Sequence, residues 1–159
     1  MTAVLQREEA PESIRSVAAV RDADYIDIFS IATDGVPDAS PERWARAGVD
    51  HAAGSVGQFV WRVILRLRLR GGNAADRIAG WRIVERGDDW ISLEAASTLL
   101  TANIVVRAGD GQVTFATCIR YDRPLAGPFW RPLSAVHRAA MPGLLRTAAR
   151  HVASTERAA

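Results

Sequence analysis

The sequence predicts an α+β protein in which an antiparallel sheet is covered on one face by a long C-terminal helix. Two observations carry that expectation. Between residues 80 and 122, four segments dense in β-branched and aromatic residues follow one another with short turns between them, the pattern of an antiparallel meander. From Trp130 to about His151, Leu133, Val136, Ala140, Leu144, Leu145 and Ala148 recur at helical spacing, and no other run is long enough to lie along such a sheet.

Residues 1–20 are acidic (Glu8, Glu9, Glu12) and interrupted by Pro11, with a short apolar patch over 13–20. They read as a mostly loose N-terminal arm with one short helix, ahead of a single domain over 21–155. Tyr25, Asp27, Phe29 and Ile31 alternate with Ile26, Ile28 and Ser30, a short strand closed by the turn Thr33-Asp34-Gly35. Ser40-Pro41-Glu42 is a helix start, with Ser as N-cap, Pro where its missing amide costs nothing, and Glu in the first turn. That helix carries Trp44 and Ala47 inward and is expected to stop near Gly48.

Residues 56–70 fit two patterns. As a helix they put Val60, Ile64 and Leu67 on one face, with Trp61 and Leu65 beside them and Arg62, Arg66 and Arg70 opposite. As a strand, Val63, Leu65, Leu67 and Leu69 alternate with Ile64, Arg66, Arg68 and Arg70. The helix accounts for the whole segment and the strand for its second half only, so a helix is predicted, ended by Gly71-Gly72-Asn73. Strands are then expected at 80–86, 90–96, 98–107 and 112–122. Asp88-Asp89 and Ala108-Gly109-Asp110-Gly111 supply the turn chemistry, the latter with Gly for positive φ. Pro124 and Pro128 stop β pairing. Pro142 falls inside the final helix and should kink or split it, because it removes an amide donor and crowds the preceding turn.

The 159 residues, 48% apolar and 24% charged, suffice for one domain with its own core. A single cysteine, Cys118, excludes an internal disulfide and any cysteine-based zinc site. All twenty basic residues are arginine, so no Schiff-base lysine is available. A net charge of +2 is too small to argue for nucleic acid, although the pI is 9.3. No run has the length and apolarity of a membrane span, and MTAVLQREEAPES lacks an apolar signal core, so a cytoplasmic location is expected. No cofactor is expected either. Gly71-Gly72-Asn73 does not open a helix after a strand, so it does not cradle a phosphate.

A resemblance sharpens the expected fold. Arg120-Tyr121-Asp122, Phe129-Trp130, Val136-His137-Arg138 and Pro142, with Gly80-Trp81 at a strand entry, resemble a bacterial domain of unknown function close to the helix-grip superfamily of START and polyketide cyclase-like proteins. Relatives of that domain occur alone or attached to dehydrogenase-like epimerases. The resemblance covers roughly Asp22 to His151, and its sharpest residues are His137-Arg138 and Gly80-Trp81. It implies a sheet curved around the C-terminal helix (the helix grip), with a cavity between them for an apolar small molecule. The superfamily includes carriers as well as enzymes, so fold alone does not choose between them. In one respect the chain departs from it: one strand is predicted before the helices where two are usual.

On this reading the chain binds a lipid-like or polyketide-like molecule without transforming it, in a pocket lined by Trp81, Ile83, Phe115, Thr117, Ile119, Leu133, Val136 and His137. The alternative is a cyclase or isomerase using His137 or Glu94 as acid or base. His137 follows Leu133 by one helical turn on the apolar side, where a capped structural histidine is the more frequent role. Glu94 shares a strand face with Trp90, Ser92 and Ala96. Ile91, Leu93 and Ala95 form the more apolar set, which favours Glu94 outward, in an exposed cross-strand pair. Adjacent Asp50 and His51 do not face one another. His51, His137 and His151 share no ligand spacing, so no metal site is expected. Cys118, with no histidine near it in sequence, reads as a small hydrophobe. Arg62, Arg66, Arg68 and Arg70 are the one basic cluster, a candidate anion site or a face for an acidic partner, against the commoner role of a solvated face. A homodimer is left open.

Overall fold

The computed structural model of the chain describes residues 4–7, 9–34, 38–71 and 74–158. Glu8, Gly35, Gly72 and Asn73, named above in the arm and the turns, lie outside the described residues. The described strands are β1 (Val4–Arg7), β2 (Tyr25–Ala32), β3 (Arg77–Ile78), β4 (Trp81–Arg86), β5 (Trp90–Ala96), β6 (Leu100–Gly109) and β7 (Gln112–Tyr121). They form one sheet in the order β1-β2-β7-β6-β5-β4-β3, every neighbouring pair antiparallel. The helices are α1 (Glu12–Arg15), α2 (Pro41–Ala45, continued by the π-helical Arg46–Ala52), α3 (Gly54–Phe59, continued by the π-helical Val60–Ile64) and α4 (Ala126–Arg157). The protein is thus α+β, a curved antiparallel sheet with one long C-terminal helix, as the pattern predicts. Among the described residues no helix is long and apolar enough to cross a membrane.

Local chemistry closes the meander. Gly109 pairs with Gln112 around a two-residue loop in which Asp110 and Gly111 take φ of 53° and 72°. Two successive positive φ values match the right-handed twist of the flanking strands. Between β5 and β6, the Ser97 hydroxyl accepts from the amides of Leu99 and Leu100 at 3.2 and 3.3 Å.

One face of the sheet is the main core. Phe29, Ile31, Phe115, Ile119, Val106, Leu93 and Trp81 pack there beneath α2 and α4. On α4 the buried residues Trp130, Met141, Leu145, Ala148 and Val152 form the stripe that faces inward. The opposite face is closed in part by the N-terminal stretch: Ala10 and Ile14 pack on Ile28, Val105 and Ala116. Buried Asn103 anchors it, its amide donating to Ser92 Oγ and the Leu93 carbonyl while its oxygen accepts from the Ala19 amide at 3.0 Å.

Four expectations change here. Within the N-terminal arm Val4–Arg7 is a strand, paired with β2 from Arg7↔Ile28 through Val4↔Ile31, so two strands and not one precede α2. Short, and acidic just beyond its end, it shows no periodicity of its own. Second, α2 does not stop at Gly48 but widens into i→i+5 bonding, with the Ala53 amide on the Gly48 carbonyl at 3.0 Å. A Cβ on Gly48 would lie 2.6 Å from the Phe115 ring, so this glycine permits close helix–sheet approach instead of ending the helix. Third, residues 56–70 divide. They are helical to Ile64 and then irregular, with Arg66 at a φ of 51°, and with Leu65, Leu67 and Leu69 buried and Arg66, Arg68 and Arg70 exposed. Arg62, Arg66 and Arg70 are therefore not one helical face. Fourth, α4 runs unbroken through Pro132 and Pro142. The carbonyl that Pro142 leaves free belongs to exposed Arg138, where water can satisfy it, and the buried side chains beyond offset the roughly 3 kcal/mol proline cost.

Candidate functional site

The alternation of β2 sends Tyr25 and Asp27 to the same face as Phe29 and Ile31. Register then sets Asp27 opposite Thr117 and Tyr25 opposite Ile119 on β7. Over this corner α4 lays His137. Its Nε2 is 3.1 Å from Asp27 Oδ2 and 3.2 Å from Thr117 Oγ1, and the Tyr25 hydroxyl donates to the same Oδ2 at 2.7 Å. The Trp130 ring closes the group, edge-on to Tyr25 at 5.5 Å and 5.8 Å from His137.

Asp27 is only 2% exposed, whereas a quarter of the His137 side chain reaches the surface. An ionised carboxylate offers no proton, so His137 must present Nε2–H to it. In the neutral imidazole the lone pair is then on Nδ1, which has no hydrogen bond among the described residues. Two further buried atoms in this group, Asp27 Oδ1 and Trp130 Nε1, likewise have no partner among the described residues. The corner thus holds an acceptor, a donor and an imidazole nitrogen with unused hydrogen-bonding capacity.

Burial, together with the hydrogen bond and negative charge of Asp27, holds the Tyr25 hydroxyl well above the usual tyrosine range; Arg138 opposes that shift. On the reverse face of the sheet, burial and then the Asp27 charge push the Cys118 thiol up to about 11. A group whose pKa rises on folding contributes stability below its unfolded pKa and loses it as pH climbs past that value. For Tyr25 the loss begins near pH 10, for Cys118 between its ordinary 9 and about 11. Tyr25→Phe is accordingly expected to flatten the fall in stability above pH 10 while keeping the earlier Cys118 portion. Urea midpoints at pH 8–11 measure the slope, and an unchanged slope above pH 10 defeats the assignment.

Of the sequence candidates, Thr117 and His137 are brought together, with Ile119 beside Tyr25 and Leu133 partly buried one turn before His137. Phe115 is buried on the same strand face. Trp81 and Ile83 are buried elsewhere: β4 is three strand spacings from β7, on the order of 14 Å along the sheet. Trp81 instead meets Trp61 edge-on at 5.5 Å. Val136 is 67% exposed and faces solvent, contrary to its expected place in the lining. At about 100° per residue it falls some 140° from the middle of the inward stripe.

Glu94 lies on the opposite face, where it pairs with Arg82 at 2.9 Å across β4 and β5, away from His137. Arg62 folds onto Gln58 and the Leu69 carbonyl. His51 and His151, distant in sequence, stack at 3.8 Å and line a cleft of about 450 Å³ with Arg43, Arg46 and Asp50. A second cleft, about 250 Å³, lies on the reverse face between the N-terminal stretch and Cys118. Neither is lined by the residues expected to form the pocket. Tyr25 and Asp27 were not singled out from sequence. The available signal was two polar groups on the apolar face of a strand, a placement that demands partners.

No protein-family model and no curated protein matches the chain. Among solved structures the chain is similar to CalU16 from Micromonospora echinospora, at 13% identity and a TM-score of 0.29, over 99% of this chain and 96% of that one. A superposition that loose carries no argument about function.

Proposed function

We propose that the chain is a small-molecule-binding domain of the helix-grip kind, holding a largely apolar ligand by a hydroxyl or enol at the Tyr25–Asp27–His137–Trp130 corner. The observation that carries this reading is the buried Asp27 carboxylate, with Oδ2 engaged by Tyr25 and His137 and Oδ1 without a partner among the described residues, in a group whose Trp130 Nε1 is also without one. An O–H group is both donor and acceptor, and so has the chemistry to meet an unsatisfied carboxylate oxygen or an unsatisfied indole N–H. Phe115, Ile119 and Leu133 offer apolar surface next to it.

Thermal unfolding with medium-chain alcohols, hydroxy fatty acids and hydroxyanthraquinones tests the proposal. A ligand at 100 times its Kd adds about 2.7 kcal/mol of stability. The shift is expected to disappear in Asp27→Asn and His137→Ala. A panel that moves nothing, or moves the variants equally, overturns the reading.

Proton transfer is the second reading, favoured by the His137 ring held with Nε2 3.1 Å from the buried Asp27 carboxylate. With Nε2–H held, Nδ1 is the basic atom, free to take a proton from an activated C–H. The check is deuterium uptake at carbon in a bound hit, present with the native chain and lost in His137→Ala. Glu94 has no part in this reading.

A further inference from the structure

We propose that the outer face of α3, with the arginines that follow it, is a docking surface for an anionic lipid bilayer. Val56, Phe59 and Val63 are 73, 57 and 56% exposed. Their i, i+3, i+7 spacing makes them one ridge along the helix, an apolar stripe that the core does not use.

The basic residues flank that ridge. The Leu67 amide bonds the Trp61 carbonyl at 2.8 Å, and Arg62 reaches the Leu69 carbonyl at 3.2 Å, so residues 65–70 fold back beside the end of α3. Because Leu65, Leu67 and Leu69 point inward, Arg66, Arg68 and Arg70 point out and are exposed. Among the described residues none of Arg62, Arg66, Arg68 and Arg70 pairs with a carboxylate. By contrast Arg46, Arg77, Arg82, Arg86, Arg107 and Arg120 each do. No Asp or Glu occurs between Gly54 and Arg70.

An exposed apolar ridge edged by unpaired guanidiniums has the chemistry of an interfacial helix. The side chains enter the acyl boundary while the arginines take lipid phosphates, which their planar forks bind bidentately. A second copy of the chain fits less well, since a two-fold interface would set arginine against arginine. A nucleic acid would leave the ridge in water.

Co-sedimentation with vesicles tests the proposal. The chain is expected to bind vesicles containing one-third phosphatidylserine at 0.1 M salt, to bind pure phosphatidylcholine poorly, and to be released by raised salt. Each of Arg66→Gln, Arg68→Gln and Arg70→Gln should weaken binding about five-fold. Phe59→Asp with Val56→Asp should abolish it. These side chains are exposed, so an unchanged circular dichroism spectrum and thermal midpoint verify folding. Failure to sediment with the anionic vesicles overturns the proposal, as does binding indifferent to Phe59→Asp. A solution dimer broken by the same variants, without vesicle binding, would assign the ridge to a second copy and equally overturn it.

Discussion

Replacing His137 with alanine is expected to cost about 1.5–3 kcal/mol of folding stability, and about half of that cost should vanish when Asp27 is already asparagine. The carboxylate of Asp27 is buried, and a hydrogen bond to such a group is worth about 1.5–3 kcal/mol because its loss leaves charge without compensation. Only Tyr25 would still serve it. A quarter of the His137 side chain is exposed, so water relieves some of the penalty and the lower half of the range is expected. In the asparagine background the partner is neutral, and a neutral hydrogen bond contributes about 0.5–1.5 kcal/mol. The two substitutions should therefore couple by about 1 kcal/mol, measured by urea unfolding of the four proteins of a double-mutant cycle. Additivity within error would mean that Asp27 and His137 do not act as one unit. The proposed ligand corner would then lose its basis.

Trp44→Ala is expected to be costlier still, about 3–5 kcal/mol, the range for emptying a fully buried tryptophan site. Trp44 is 2% exposed and is the largest buried side chain on α2, which packs on β5 and β6 while its π-helical continuation packs on α4. It therefore sits where sheet, α2 and α4 depend on one another, and a void there has few ways to collapse. For a domain of ordinary stability, about 5–15 kcal/mol, this is a large share of the total. Trp44→Phe should recover much of the loss. Chemical unfolding that shows less than about 1 kcal/mol for the alanine variant would place the core elsewhere. The loss should come with an unchanged denaturant slope, since only stability is altered.

Some elements were legible residue by residue. The N-cap at Ser40 forms as its sequence dictates, its hydroxyl accepting from the Arg43 amide at 3.2 Å. The Asp110-Gly111 loop was readable for the same reason: its backbone angles are a local demand that few residues meet. The β-meander and the inward stripe of α4 are periodicities, which a sequence displays directly. Residues 56–70 were the hard case, because the ambiguity lay in the chain itself. The first half obeys helical spacing and the second half alternation, and a single assignment over both had to fail in one.

The functional corner was legible in part. His137 stood out on the apolar side of the last helix and Thr117 on an inward strand face, but Tyr25 and Asp27 read as ordinary members of a strand. Which strands become neighbours is a long-range outcome: β2 lies beside β7, more than eighty residues away, and only that pairing brings Asp27 under His137. Val136 and Trp81 failed in the opposite direction, since a shared apolar character does not say which stripe of a helix or which edge of a sheet a residue will reach.

By itself, then, the sequence determined the class of fold, the Asp110-Gly111 turn, the Ser40 helix start and the two faces of β2 and the meander strands, because backbone conformation and side-chain periodicity are local properties. The tertiary structure alone decided that the N-terminal stretch joins the sheet, that α4 survives Pro142, and that Tyr25, Asp27, Thr117 and His137 converge. Each of those outcomes turns on burial between segments far apart in the chain, where packing outweighs the local preference a sequence can declare.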